Sequence, residues 1–357
     1  MMYEFKKLIY NKRNVGVFAF LLFFLICFIG YNVYMDTHYN ESQIKMYQKA
    51  SRKSENNLLS PISDEESEFW KDVNLTSNRL IKIYWNEENK TEEFINTKIK
   101  WNTLMIQAYM DGYVVNEFET RNIQTLQNEN KQLKYLNKNH IEMLNSPYEA
   151  NTFNLLNELF GQKLYLIILL IICVLLCDVF GLEMENGFYK NLYVSNISKQ
   201  KIWIKKICFS LILALFVLCM SLFILGLAGL IFGFGNSQYP YFYMNHMFTV
   251  KEIVTQSLYL LIVETLFLVG ISSLWFSLSI SSGFILTMNL ILYALFFVLG
   301  NLVGYSQLFV YIPFLHVDFI LLIAHKQVIL SIVTNLFYFI LCGFLSVYYF
   351  KKRELVK

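Results

Sequence analysis

Residues 183–206 read EMENGFYKNLYVSNISKQKIWIKK, and this basic stretch organises everything around it. It carries five lysines, Lys190, Lys199, Lys201, Lys205 and Lys206, between two apolar runs at 164–182 and 207–234. A helix needs about 20 apolar residues to cross the hydrocarbon core of a bilayer. Both runs approach or exceed that length, as do those at 15–35, 254–280, 284–303 and 328–350. The runs are continuous rather than alternating, which suits helices and not the strands of a membrane barrel. The expected fold is an all-α polytopic membrane protein. It has six transmembrane helices, with a large helical extracytoplasmic insertion between spans 1 and 2.

Composition agrees with that class. Hydrophobic residues make up 55% of the 357-residue chain and charged residues 16%, against ~25% charged in an ordinary soluble domain. The six cysteines all lie in apolar or boundary segments, so no disulfide framework is expected in the polar insertion. Lysine and arginine in short loops set orientation. Thirteen of them fall on one side: Lys6, Lys7, Lys12 and Arg13, the five loop lysines, and Lys351, Lys352, Arg353 and Lys357. The short loops of the other side hold only Lys251 and Lys326. Both termini and the 183–206 loop are therefore expected in the cytoplasm, and the first run reads as a retained span rather than a cleaved signal.

The predicted organisation begins with a cytoplasmic amphipathic interfacial helix at 1–14, where Phe5, Lys6 and Ile9 alternate apolar and basic character. Span 1 follows at 15–35, the extracytoplasmic helical domain at 36–162 and span 2 at 163–182. Then come the 183–206 loop, spans 3–6 within 207–350 and a cytoplasmic tail at 351–357. Residues 304–327 are broken by Pro313, His316 and Asp318 and read as an outer re-entrant hairpin, or else as a plain amphipathic loop. The polar insertion has 19 acidic and 14 basic residues, a net of −5, which gives it a soluble face. Its spaced apolar positions predict helices over 68–85, 91–109 and 117–144, with turns at Ser60-Pro61, 86–89 and Asp111-Gly112.

Within the loop, a helix over 183–193 would align Met184, Phe188 and Leu192 on one stripe and Glu183, Gly187 and Asn191 on the next. A glycine there costs about 1 kcal/mol relative to alanine, which close approach of another backbone would explain. Ser198 is a suitable N-cap for the helix entering span 3. Lys199 and Lys201 follow it in the first turn, where the helix dipole disfavours cations.

The succession Phe180, Glu183, Gly187, Lys190, Leu192, Ile197, Ser198, Lys199, Ile202 and Lys206 resembles the loop between spans 2 and 3 of ABC-2 type permeases. These are the transmembrane subunits of ATP-binding-cassette exporters. The resemblance implies that Glu183, Gly187, Phe188, Lys190, Asn191, Leu192 and Ser198 form a coupling element on an ABC ATPase subunit, with the 1–14 helix as a second contact. It implies no catalytic residue, metal or cofactor on this chain, with ATP and Mg held by the partner. A second permease copy or a related permease, and the lipid of a bacterial cell membrane, complete the expected partners, with no nucleic acid. The expected cargo is hydrophobic or amphipathic: a peptide, an antimicrobial or a lipid-like compound. One departure stands out, because many family members have a short first outer loop. The sequence also lacks a Gly-x-x-x-x-Gly-Lys-Ser/Thr phosphate loop, so this chain supplies no P-loop of its own.

Glu264 falls near the middle of span 4. A carboxyl at that depth is costly and faces a bundle interior or an aqueous cavity. It is a pathway or gating candidate, or alternatively a neutral carboxyl bonded to a neighbouring helix. Asp178, near the inner boundary, is expected to be solvated, and His316 and Asp318 are expected to pair. Two further readings stand beside export: a membrane sensor or scaffold with a ligand-binding outer domain, and a mechanotransmission ABC protein acting on extracytoplasmic partners.

Overall fold

A computed structural model describes residues 10–86, 92–185, 198–278, 281–303, 310–316 and 318–352. In chain order the helices are α1 (Lys12–Leu58), α2 (Asp64–Asn86), α3 (Glu92–Asp111), α4 (Ile123–Lys138), α5 (Thr152–Gly161), α6 (Tyr165–Glu185) and α7 (Lys199–Phe232). Two strands follow, β1 (Pro240–Tyr243) and β2 (His246–Thr249), and then α8 (Val250–Leu278), α9 (Ser282–Val303), a 3-10 turn (Pro313–Leu315), α10 (Phe319–Ala324) and α11 (Val328–Lys352). The chain divides into two compact units.

The apolar unit comprises Met1–Ile29, Leu156–Phe234 and Glu252–Lys357. Four helices, α1, α7, α8 and α11, are long and apolar enough to cross a membrane. Helices α5 and α6 form a bent pair, 75° apart, that makes either a fifth, broken span or a re-entrant segment. The bend is a local C-cap. Lys163 takes a positive φ of 59°, and Leu164 N–H closes back on Leu159 O at 2.9 Å, as a left-handed residue allows after a helix end. Helix α9 is a shorter apolar helix through Ser282–Leu295.

One boundary follows the sequence reading and one differs from it. Helix α7 begins at Lys199, directly after the expected Ser198 cap, so the last third of the 183–206 stretch is helical. Ser198 ends the loop with extended φ/ψ (−63°, 141°), and its side chain accepts from Lys201 N–H. At the other end of the chain, residues 12–14 belong to the long α1 and not to a separate surface helix. Phe5, Lys6 and Ile9 lie outside the described residues.

The polar unit comprises Gly30–Leu155 and Gly235–Lys251. Its core gathers Tyr47 of α1, Trp70 and Val73 of α2, Phe94, Trp101 and Met105 of α3 and Leu126 of α4. The Tyr47 and Trp101 rings meet edge to face at 5.0 Å. Helix α3 stops where Gly112 takes φ 78°. The helix expected over 117–144 is shorter: residues 113–122 run through turns, and Asn122 caps α4 by accepting Thr125 N–H at 2.8 Å.

A β-hairpin is the departure from an all-helical expectation. β1 and β2 pair antiparallel, with Tyr243 opposite His246. Met244 and Asn245 between them both have positive φ (49° and 67°), the geometry whose twist matches a two-residue hairpin. Gln132 of α4 donates to Pro240 O at 2.7 Å, and Asn128 donates to Asn245 Oδ1 at 3.2 Å. These bonds tie the hairpin to the helices of the polar unit.

Candidate functional site

The end of α6 leads into the 183–206 stretch, and it is tied down from four sides. Asp178 is not solvated; it is 2% exposed. Arg13 at the start of α1 grips its carboxylate through Nη2 and through Nε at 3.1 Å, and Asn11 adds a third donor at 3.1 Å. A buried carboxylate is tolerable when it is paired and hydrogen-bonded in this way. Lys206 of α7, also buried, donates to Val179 O at 3.1 Å. Its ammonium thereby satisfies part of its hydrogen-bonding capacity on a main-chain carbonyl of α6.

The apolar side of the same end is an aromatic stack. Trp203 of α7 lies against Phe350 of α11 at 4.2 Å and Phe276 of α8 at 5.3 Å, with Phe180 of α6 at 5.4 Å. The indole N–H donates to Ser346 Oγ at 3.1 Å, so the one polar atom of the buried ring is satisfied. Gly181 supplies the fourth tie. A Cβ there would stand 2.3 Å from Ser282 Cβ and 2.8 Å from Ser282 Cα, so α6 and the start of α9 touch backbone to backbone. Glu183 lies two residues further along α6. Gly187, Phe188, Lys190, Asn191 and Leu192 lie outside the described residues, while Ser198 is the N-cap.

A second cluster sits deeper in the same unit. Glu264 of α8 is 2% exposed and accepts a hydrogen bond from Tyr293 Oη of α9 at 2.8 Å. Asn335 of α11 lies beside it. Asn335 Nδ2 is 2.9 Å from His316 Nδ1, and His316 Nε2 is 2.9 Å from Val310 O. His316 therefore does not pair with Asp318. Asp318 instead caps α10, accepting Leu321 N–H at 3.0 Å, and forms an ion pair with Lys163 at 2.8 Å. Tyr293 also walls a cavity of about 280 Å³ lined by Leu166, Leu169, Leu170 and Cys173 of α6 and by Leu290 and Ala294 of α9. Among the described residues, no group of three or more His, Cys, Asp or Glu is placed to hold a metal.

The polar unit has a charged cluster of its own. Arg121 donates to Glu119 through Nε at 2.8 Å and Nη2 at 2.6 Å, and to Glu129 through Nη1 at 2.6 Å. Trp101 Nε1 also donates to Glu119 at 3.2 Å. Lys98, fully enclosed, donates to Tyr47 Oη at 2.6 Å and stands 3.8 Å from Glu129. Burial alone would raise the Glu119 carboxyl, but the hydrogen bonds and charge of Arg121 outweigh it and hold the group below the usual carboxylate range. Burial likewise works to lower Lys98, and the charges of Glu129 and Tyr84 reverse it. The two acids and two bases balance, so this is a structural brace with no free charge to offer a ligand.

Sequence reasoning singled out Glu264 and Ser198 but missed Tyr293, Asn335, Arg13 and Gly181. Only Gly181 left a signal: a glycine inside an apolar helix implies a close neighbour.

No curated protein and no solved structure matches the chain. A family profile described as "Protein of unknown function (DUF2705)" matches residues 112–356, more than half of the chain from the polar unit through α11. The chain is therefore a member of that family.

Proposed function

We propose that this chain is the permease subunit of an ABC exporter, spanning a bacterial cell membrane six times with both termini in the cytoplasm. Residues 36–162 are then an extracytoplasmic insertion, and α5–α6 and α9 serve as the second and fifth spans. A separate ABC ATPase binds ATP and Mg, and a second permease copy or a related permease completes the pathway. The cargo is hydrophobic or amphipathic.

The observation that carries this reading is the 183–206 stretch together with its anchorage. Glu183 continues α6, and Ser198 starts α7. Those two helices are joined at their ends by Lys206 on Val179 O and by Trp203 on Phe180. A push on a short loop so anchored moves both helices together, because packed interiors transmit displacement rather than absorb it. Glu183, Gly187, Phe188, Lys190, Asn191 and Leu192 supply the contact surface, with Phe5, Lys6 and Ile9 as a second one.

A second reading has its own support. The polar unit has a separate aromatic core, and one helix, α1, contributes residues to both units. That continuity suits a protein that acts on extracytoplasmic partners, either as a mechanotransmission ABC protein or as a sensor.

Purification from native membranes in mild detergent, with mass spectrometry and an ATPase assay, separates these readings. A co-purifying ATPase whose activity falls in Glu183→Ala supports a coupled transporter or mechanotransmitter, and cargo uptake into inside-out vesicles then selects export. Absence of any ATPase under crosslinking rejects both and favours the sensor.

A further inference from the structure

The buried polar groups around Glu264 contain two oxygens that the protein leaves without a donor. Glu264 Oε2 and Asn335 Oδ1 are both enclosed and have no hydrogen-bond partner among the described residues. Their parent residues are 2% and 1% exposed. A buried acceptor left unmatched is costly, so two on neighbouring side chains call for an explanation.

The wiring can be worked out from its far end. Val310 O is a carbonyl and only accepts, so His316 Nε2, 2.9 Å away, carries a hydrogen and donates. In a neutral imidazole the other nitrogen then has none, and Nδ1 accepts from Asn335 Nδ2 at 2.9 Å. This commits the Asn335 amide nitrogen to His316 and leaves its oxygen, which has no partner among the described residues, available to accept. Glu264 Oε1 is already taken by the Tyr293 hydroxyl at 2.8 Å. Oε2 remains, and a carboxyl oxygen donates only when it is protonated.

We propose that Glu264 is a proton-binding site: Oε2 holds a proton and donates it to Asn335 Oδ1, closing a one-way chain from Tyr293 through Glu264, Asn335 and His316 to Val310. The chain links α9, α8, α11 and the segment before the 3-10 turn, and it satisfies both orphaned oxygens at once. The titratable groups facing Glu264 are Tyr293 from α9, His316 across Asn335 and Tyr165 from α6, with Cys173 of α6 near Tyr293. Among the described residues no lysine or arginine acts on it, so a proton is the compensating charge. Loss of that proton sets a carboxylate against the Asn335 carbonyl oxygen, two acceptors face to face, and loosens α8 from α11. The site is independent of whether the chain couples to an ATPase.

The test is infrared difference spectroscopy on the full chain in lipid nanodiscs at neutral pH. The expected result is a protonated-carboxyl C=O band that shifts on deuteration and is missing in Glu264→Gln. That variant should fold normally, because a glutamine amide accepts from Tyr293 and donates to Asn335 as the neutral acid does. Asn335→Ala should shift the band to higher frequency by removing its acceptor. Tyr293→Phe, which keeps the ring volume, should shift it as well and serves if Asn335→Ala does not fold. Absence of a band dependent on Glu264 overturns the proposal in favour of a carboxylate facing a His316 imidazolium across a flipped Asn335. A band that neither Asn335→Ala nor Tyr293→Phe moves also overturns it, since the proton would then lie outside the chain.

Discussion

Replacing Arg121 by alanine should release α3 and α4 of the polar unit from one another. The guanidinium makes two side-chain bonds to Glu119 and one to Glu129. Its removal leaves the Glu119 carboxylate, 1% exposed, with Trp101 Nε1 and the Arg121 backbone N–H as its remaining donors. Removing one partner of a buried pair costs about 3–5 kcal/mol. The Arg121 side chain is 27% exposed, so water reaches part of the vacated site and places the cost near the lower end, about 3 kcal/mol. At 1.36 kcal/mol per decade this is roughly a 150-fold rise in the opening equilibrium of α3 and α4. Hydrogen exchange with mass spectrometry on the full chain in nanodiscs reads that opening peptide by peptide. Arg121→Lys should recover only part of the protection, because an ammonium cannot bind the carboxylate through two parallel bonds. The double variant Glu119→Gln with Arg121→Met, which removes the buried charge with its partner, should recover more. A rise below about 5-fold for Arg121→Ala, under ~1 kcal/mol, would refute the claim that this cluster braces the polar unit.

Two further predictions concern the same cluster on acidification and the close helix contact at Gly181. The Glu119 carboxyl lies lower in the folded chain than in the unfolded one, so its contribution is complete above the unfolded value of ~4.3 and is lost as pH falls through the folded value. Exchange protection in α3 and α4 should therefore decline on acidification below about pH 4, after correction for intrinsic exchange rates, and Arg121→Ala should flatten that decline. Gly181→Ala places a methyl 2.3 Å from Ser282 Cβ and should destabilise the α6–α9 contact by about 1–3 kcal/mol as overpacking does. Adding Ser282→Gly should restore part of the lost thermal stability, and no loss in the single variant would show that the helices separate freely there.

The apolar helices were legible because a run of apolar residues leaves the backbone one way to satisfy itself in lipid. Ser198 was legible as a cap because capping is a local interaction. The hairpin was not. Its turn is Met244-Asn245, without the glycine that advertises two successive positive φ values, and tertiary bonds from Gln132 and Asn128 hold it instead. Asp178 was misread for a related reason: its partner Arg13 lies 165 positions away, and no periodicity encodes such a pairing. Glu264 could be singled out by its depth in a hydrophobic run, yet Tyr293 and Asn335 belong to other helices and look unremarkable there. What was hidden in each case was a long-range partner, and long-range partners set the chemistry of both buried clusters.

The polar unit is assembled from two separated pieces of chain. Leu155 ends the first piece and Gly235 begins the second, 80 positions later. At a synthesis rate of ~5–20 residues per second, the first piece waits roughly 5–19 s before the hairpin that completes it exists. During that interval the Gln132 amide lacks the Pro240 carbonyl to which it is bonded in the finished structure. The unit is therefore a late product of biogenesis despite its early start in the sequence. A nascent chain stalled before Gly235 should expose α4 to protease, whereas one released after Lys251 should protect it.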